Sequence, residues 1–251
     1  MKGTLHYSVA DQIARLRFGS PAGNALPAEL LQQITAQINA FGADDSARIL
    51  LLESQGNGAF CGGAYLNELM EVRDPEAGKD FFMGFARLIN ALRKCPKFVI
   101  GRIHGKIVGG GVGLTAACDF ALATRAASVK LSELSIGLGP YVIEPAVSRK
   151  IGTPAFAQLS FEATRWKDAQ WALDKGLYAQ LYPDIEALDD ALHSQATQWA
   201  QYDPKAMAAL KKLHWKDTDH WDELLPKNAA ITGELACSDF TQNFLKKLKN
   251  K

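Results

Sequence analysis

The chain has no C-x-x-C pair and only four cysteines, at 61, 95, 118 and 237, in 251 residues. A disulfide framework and a thiolate metal knuckle are therefore excluded, and buried free thiols in a reducing compartment are expected. Its five histidines, His214 and His220 among them, have no partners at metal-ligand spacing, so no metal is expected. No apolar run approaches the ~18 residues of a spanning helix. The start, Met1-Lys2-Gly3-Thr4-Leu5-His6, has no apolar secretory stretch. A cytoplasmic protein is the resulting expectation. Net charge is close to zero, 28 Lys+Arg against 27 Asp+Glu. No global field thus draws the chain to nucleic acid or a membrane, and no basic stretch is interleaved with aromatics.

What is present is glycine in two clusters. Gly105-Lys106-Ile107-Val108-Gly109-Gly110-Gly111-Val112-Gly113 follows the apolar run Phe98–Ile103 and precedes small, helix-compatible residues through Asp119. Phe60-Cys61-Gly62-Gly63-Ala64-Tyr65-Leu66-Asn67 follows a second apolar run, Ile49–Leu52. Each reads as strand, glycine turn, helix. A glycine turn lets backbone N–H groups approach a ligand closely. A helix start adds unpaired N–H groups and the positive end of a dipole. Either cluster alone is a tight turn; two together can offer one N–H each to the same oxygen.

Periodicity supplies the frame. Ala14, Leu16 and Phe18 alternate with Arg15 and Arg17, as in a half-buried strand. Pro27 suits a first helical turn, and Leu30, Leu31, Ile34, Ile38 and Phe41 recur at helical spacing. Phe81, Phe82, Phe85, Leu88, Ile89 and Leu92 mark a second amphipathic helix, ending near Pro96. Further strands are expected at Phe98–Ile103, Phe120–Ala123 and Val129–Leu131. From Thr153 onward the pattern is helical almost throughout, with breaks near Gly176, Pro183, Pro204 and Pro226. The reading is α/β, with a soft boundary near 195 separating a core (1–195) from a helical region (196–251).

Three segments together, F-C-G-G-A at 60–64, G-K-I-V-G-G-G-V-G-L-T-A-A-C-D at 105–119 and K-L-S-E-L-S-I-G-L-G-P at 130–140, resemble the enoyl-CoA hydratase/isomerase (crotonase) superfamily. The resemblance is strong over Thr4–Gly152 and looser beyond. It implies a ClpP-like β-β-α spiral core with a C-terminal helical trimerisation region, assembled as a homotrimer or homohexamer. It also implies an acyl-CoA thioester substrate, with coenzyme A belonging to the substrate and no separate cofactor. By the same resemblance the backbone N–H groups of Ala64 and Gly110 match the oxyanion-hole donors, and Ala64, Tyr65, Leu66 and Asn67 line the coenzyme A path. The family usually has Asp where Tyr65 stands and often Lys where Asn67 stands. The lysine-rich tail ending Leu245-Lys246-Lys247-Leu248-Lys249-Asn250-Lys251 reads as a solvated helix end or as a contact for coenzyme A phosphates.

The family's hydratases use two glutamates. The first position falls on Gly113, where the carboxyl is missing; the second falls on Glu133, between Leu131 and Leu134. A glutamate in that apolar setting is a candidate proton carrier with a raised pKa. Glu144, before Pro145, is a possible second acid, although an acid at a helix start is favourable without catalysis. Tyr141 is a candidate wall or hydroxyl donor of the acyl pocket, which is expected from residues around 70–90 and 140–145. Reversible hydration of a short or branched 2-enoyl-CoA, similar to the bacterial methylglutaconyl-CoA hydratase group, is the first reading. Isomerisation of a 3-enoyl to a 2-enoyl ester by one glutamate is the second, and an acyl-CoA-binding protein without turnover the third. A methylglutaconyl group would need a cation for its free carboxylate, with Arg87, Arg102 and Arg149 as candidates. A Clp-type protease is disfavoured: His104 is present, but no serine sits in a nucleophile turn.

Overall fold

A computed structural model describes residues 3–249. The chain opens with β1 (Thr4–Ala10) and β2 (Ile13–Gly19), an antiparallel hairpin whose turn residues Asp11 and Gln12 both have positive φ. Helix α1 (Ala28–Ala43) leads to β3 (Ile49–Ser54). The short α2 (Leu66–Leu69) and the long α3 (Pro75–Lys94) lead to β4 (Phe98–Ile103). Then come β5 (Ile107–Val108), α4 (Gly110–Ala117), β6 (Phe120–Thr124) and β7 (Ser128–Lys130). A 3-10 turn over Glu133–Ile136 precedes α5 (Glu144–Ile151) and α6 (Thr153–Phe161). The rest is β8 (Lys167–Asp168), α7 (Ala169–Asp174), β9 (Gln180–Tyr182), α8 (Ile185–Ala200), α9 (Pro204–His214), α10 (Trp221–Ala236) and α11 (Asp239–Lys249).

The large sheet has the order β1-β2-β3-β4-β6-β9 and is parallel from β2 onward. The small sheet has the order β5-β7-β8. Successive passes of the chain therefore add a strand to the large sheet and, from β5, a strand to the small one. This is the expected spiral.

Period 2 explains how β3 can be buried on both faces. Leu50 and Leu52 join the cluster built with α1, α3 and α4, whereas Ile49 and Leu51 join the cluster under α8. All five apolar positions named for α1 are buried, with Pro27 at the cap position just before the helix. In α3, Phe85, Leu88, Ile89 and Leu92 are buried, and Phe81 and Phe82 are partly so. Asp74 caps α3 by accepting from the Ala77 N–H at 2.9 Å, and the helix stops at Lys94, just before Cys95 and Pro96.

Four sequence expectations need adjusting. β1 lies ahead of the first expected strand, and its side chains are mostly exposed. β8 and β9 interrupt the helical second half, and β9 forms an edge of the large sheet. Pro226 breaks nothing: it lies inside α10, in a turn where Asp222 faces solvent and its freed carbonyl can be hydrated. Position 195 lies inside α8, whose Leu188, Leu192, Ala196 and Ala200 pack in one cluster beneath the sheet. The four cysteines are free, three of them buried. No helix among the described residues is long and apolar enough to cross a membrane.

Candidate active site

The two glycine turns meet. Leu26 N–H donates to the Gly63 carbonyl at 2.8 Å, Val108 N–H donates to the Cys61 carbonyl at 3.0 Å, and a bridge pairs Cys61 with Ile107. Gly63 has φ +83°, and a Cβ there would lie 2.7 Å from the Val108 carbonyl oxygen and 3.3 Å from the Gly110 nitrogen. Only glycine allows that approach. Gly110 opens α4, so its N–H is free of the helix ladder. Neither Ala64 N–H nor Gly110 N–H has a hydrogen-bond acceptor among the described residues.

Both residues line one cavity of about 180 Å³. Its walls come from α2, α3, the start of α4, the 3-10 turn, the loop through Gly139 and Pro140, and one residue of α10, Thr232. The walls are mainly apolar, with Phe82, Phe85, Val142 and Ile143 prominent. Among the described residues Glu133 is the only titratable side chain that lines it.

Glu133 starts the 3-10 turn, and Leu138 N–H donates to its carbonyl at 2.9 Å. Its Oε1 lies where a Cβ on Gly109 would be only 2.9 Å away; Gly109 also has φ +52°, so both backbone and space require glycine there. Oε2 is buried with no hydrogen-bond partner among the described residues. Burial pushes the carboxyl up to about 7, against a smaller opposing effect of backbone hydrogen bonds from Glu133 and Ser132. The raised pKa has the direction expected of a carboxyl in an apolar setting, although Leu134 itself points to solvent.

The other sequence candidates lie differently. Ala64, Leu66 and Gly110 line the cavity together with Glu133; Tyr65, Asn67, Tyr141 and Glu144 do not. Asn67 Nδ2 donates to the Tyr65 hydroxyl at 2.8 Å. Tyr141 is exposed, and its carbonyl accepts from Asn228 Nδ2 of α10 at 2.8 Å. Glu144 is the first residue of α5, with Pro145 behind it, as the helix-start reading held. Of the tail lysines, Lys246 lines a separate groove with Arg73, while Asn250 and Lys251 lie outside the described residues.

The three arginines are all outside the cavity lining. Arg87 is exposed, Arg102 forms a double hydrogen bond to Asp189 at 2.5 and 2.9 Å, and the Arg149 guanidinium sits 4.2 Å from the Trp215 ring centre. His104 lies beside Arg102, and burial first, then that guanidinium, push its imidazole down to about 4. A larger groove of about 440 Å³ runs between α3 and α9; three of its cations are engaged, Arg93 and Lys94 with Asp222 and Lys211 with Asp119. Ile143 falls in the 140–145 stretch expected to wall the acyl pocket, whereas sequence reasoning missed Thr232 of α10. No local signal marks Thr232, because it arrives through helix packing.

A spiral α/β fold, with a cavity walled by two glycine turns and carrying one unpaired carboxyl, defines the class. The sequence pattern of the family described as Enoyl-CoA hydratase/isomerase matches residues 8–242, and the chain belongs to that family. A probable enoyl-CoA hydratase of Bacillus subtilis is 26% identical over 82% of this chain and 80% of its own length. A mitochondrial Delta(3,5)-Delta(2,4)-dienoyl-CoA isomerase of Pongo abelii is 25% identical over 78% of this chain, the match spanning 63% of that protein. Among solved structures, an enoyl-CoA hydratase from Mycobacterium avium is 26% identical, with a TM-score of 0.85 over 100% of this chain and 97% of that one. An enoyl-CoA hydratase from Bacillus halodurans, at 20% identity, shares the fold with a TM-score of 0.90 over 97% of this chain and 99% of that one.

Proposed function

We propose that this protein moves a proton on an enoyl-CoA ester with a short, uncharged acyl group, converting a 3-enoyl to a 2-enoyl thioester through a single carboxyl. One observation carries the reading: Glu133 Oε2 is buried without a hydrogen-bond partner, in a cavity with no second acid among the described residues. Ionised Glu133 takes the C2 proton, the thioester oxygen gains negative charge, and the same carboxyl returns the proton at C4. One group suffices because the steps are sequential. A carboxyl near 7 suits this role, since a catalytic pKa close to the working pH balances ionisation against proton affinity. The free N–H groups of Ala64 and Gly110 support a role as the enolate donors, a contribution typically of several kcal/mol.

The sequence placed hydration first; the geometry of the site favours the other order. Hydration remains the second reading, supported by the hydratase names of the relatives. In it, Glu133 would both orient water and deliver the proton. The apolar walls and the absence of Arg87, Arg102 and Arg149 from the lining argue against an acyl group with a free carboxylate, and so against a methylglutaconyl substrate. The small volume, below the ~300–1,000 Å³ of sites for drug-sized ligands, favours a short chain. Assembly into homotrimers or homohexamers belongs to the same proposal. Exposed Leu134, Phe161 and Phe240 support it, and sedimentation as a monomer at micromolar concentration would remove it.

The test is product analysis by mass spectrometry on paired 2-enoyl and 3-enoyl CoA esters in water enriched in heavy oxygen. Conversion of the 3-enoyl ester with no label gained is the expected result. Label entering the 2-enoyl ester would establish hydration instead.

A further inference from the structure

We propose that Ile143 sets the shape and polarity of the acyl end of the cavity, and that it restricts the site to short, unbranched acyl chains without a distal charge. The proposal rests on the acyl-CoA reading above. Its starting point is an interlock between two helices. A Cβ built on Gly113 of α4 would lie 2.6 Å from the Ile143 Cβ and closer still to its Cγ2. Ile143 thus fills the volume that a side chain at 113 would need. Ile143 lines the cavity and Gly113 does not. The wall here is therefore made by Ile143 reaching in from the N-terminal end of α5, not by α4 itself.

That wall is rigid. Ile143 is 4% exposed, its carbonyl accepts from the Val147 N–H at 3.0 Å, and the next residue's N–H donates to the Pro140 carbonyl at 2.9 Å. A β-branched side chain on a fixed backbone has few rotamers available. The neighbouring lining residues Phe82, Phe85 and Val142 are apolar, and no cation among the described residues lines the cavity. A longer or branched chain would have to displace Ile143, which Gly113 backs with no slack. A charged terminus would find no partner.

The experiment is a ladder of dissociation constants by titration calorimetry. Saturated butanoyl-, hexanoyl-, octanoyl-, 3-methylbutanoyl- and glutaryl-CoA are titrated into the full chain and into Ile143→Ala. Saturated esters do not turn over, so the ladder reads the wall whatever the reaction is. In the natural chain, butanoyl-CoA is expected to bind more tightly than the octanoyl, branched and glutaryl esters. In Ile143→Ala the preference for short chains should fall about tenfold or more, the effect of one or more methylenes in a hydrophobic pocket. Glutaryl-CoA should stay weak, because no cation is introduced. Ile143→Val removes one methyl and carries the test if the alanine variant does not fold, with a smaller shift in the same direction. A ladder that moves uniformly, or a natural chain that binds octanoyl-CoA as well as butanoyl-CoA, overturns the proposal. A chain-length shift without turnover of any enoyl ester would remove the isomerase reading and leave the wall standing.

Discussion

Glu53 and Glu133 are both carboxyls withdrawn from solvent, and their surroundings are opposite. Glu53, on β3, is fully buried and held by Arg15 at 2.5 Å and by Arg17 at 2.7 Å, both from the neighbouring strand β2. Its charge is answered by two guanidiniums that keep partial contact with water. The Glu133 Oε2 is buried with no hydrogen-bond partner among the described residues. A buried carboxylate without a partner is costly, and the usual response is to hold its proton. Glu53 is thus a structural ion pair that ties two strands together. Glu133 is a group whose proton is poised to leave near neutral pH. Asp119 falls on the structural side as well: it accepts from Val99 N–H at 2.8 Å, Lys211 Nζ at 2.8 Å and Trp215 Nε1 at 3.1 Å. Burial alone does not single out a candidate acid; the proposal for Glu133 rests on burial of Oε2 without a partner, beside a cavity.

The comparison is broken most severely at Glu133. Glu133→Gln keeps the size of the side chain and removes its titration. Turnover of whichever enoyl ester the chain converts should fall about a hundred- to ten-thousand-fold. Steady-state kinetics with a circular-dichroism check of folding would measure it. Next, Arg15→Met combined with Arg17→Met would place Glu53 in the condition of Glu133, a buried carboxylate without a cation. Urea unfolding should show a loss of about 3–5 kcal/mol, with catalysis kept.

Stability against pH sharpens the same contrast. Burial pushes the Glu133 carboxyl up to about 7 in the folded chain, above its ordinary value of 4.5. Between those values the folded state holds a proton that the unfolded state has released. Stability therefore falls as pH rises from 4.5 through about 7 and is then unaffected by this group. Glu133→Gln should abolish that fall, making the variant more stable than the natural chain at pH 8 by up to about 3 kcal/mol. Unfolding curves of both proteins at pH 5 and pH 8 would show it; equal pH slopes would contradict it. The smallest effect is expected at Glu144. Glu144→Gln removes a charge from the first turn of α5, outside the cavity lining, and should cost under about 1 kcal/mol of stability. Its turnover should stay within a few-fold of the natural chain.

Much of this was legible in the residues. The 3.6-residue spacing of Leu30, Leu31, Ile34, Ile38 and Phe41 placed α1 and its buried face, and the continuous run Ile49–Leu52 placed a strand covered on both sides. The motif and apolar neighbours of Glu133 pointed to a withdrawn carboxyl, and the fold places it in the cavity lining. What stayed hidden was long-range. β1 has no apolar face to announce it, and β9 is three residues long and exists because the edge of β6 accepts it. The pairing of Gly113 with Ile143 arises only when α4 packs on α5, so Gly113 reads in sequence as a missing carboxyl and in the fold as room for an isoleucine. The choice between hydration and isomerisation turns on that difference.

The central claim is that the unpaired Glu133 carboxyl alone carries the proton. The most direct measurement is the rate of deuterium entry at C2 of a short 3-enoyl-CoA in heavy water, followed by mass spectrometry from pH 5 to pH 9. The exchange rate should rise with the ionised fraction of Glu133, with a midpoint near 7, and be lost about a hundredfold or more in Glu133→Gln. Exchange that persists in Glu133→Gln at the natural rate, with the same pH midpoint, would contradict the account.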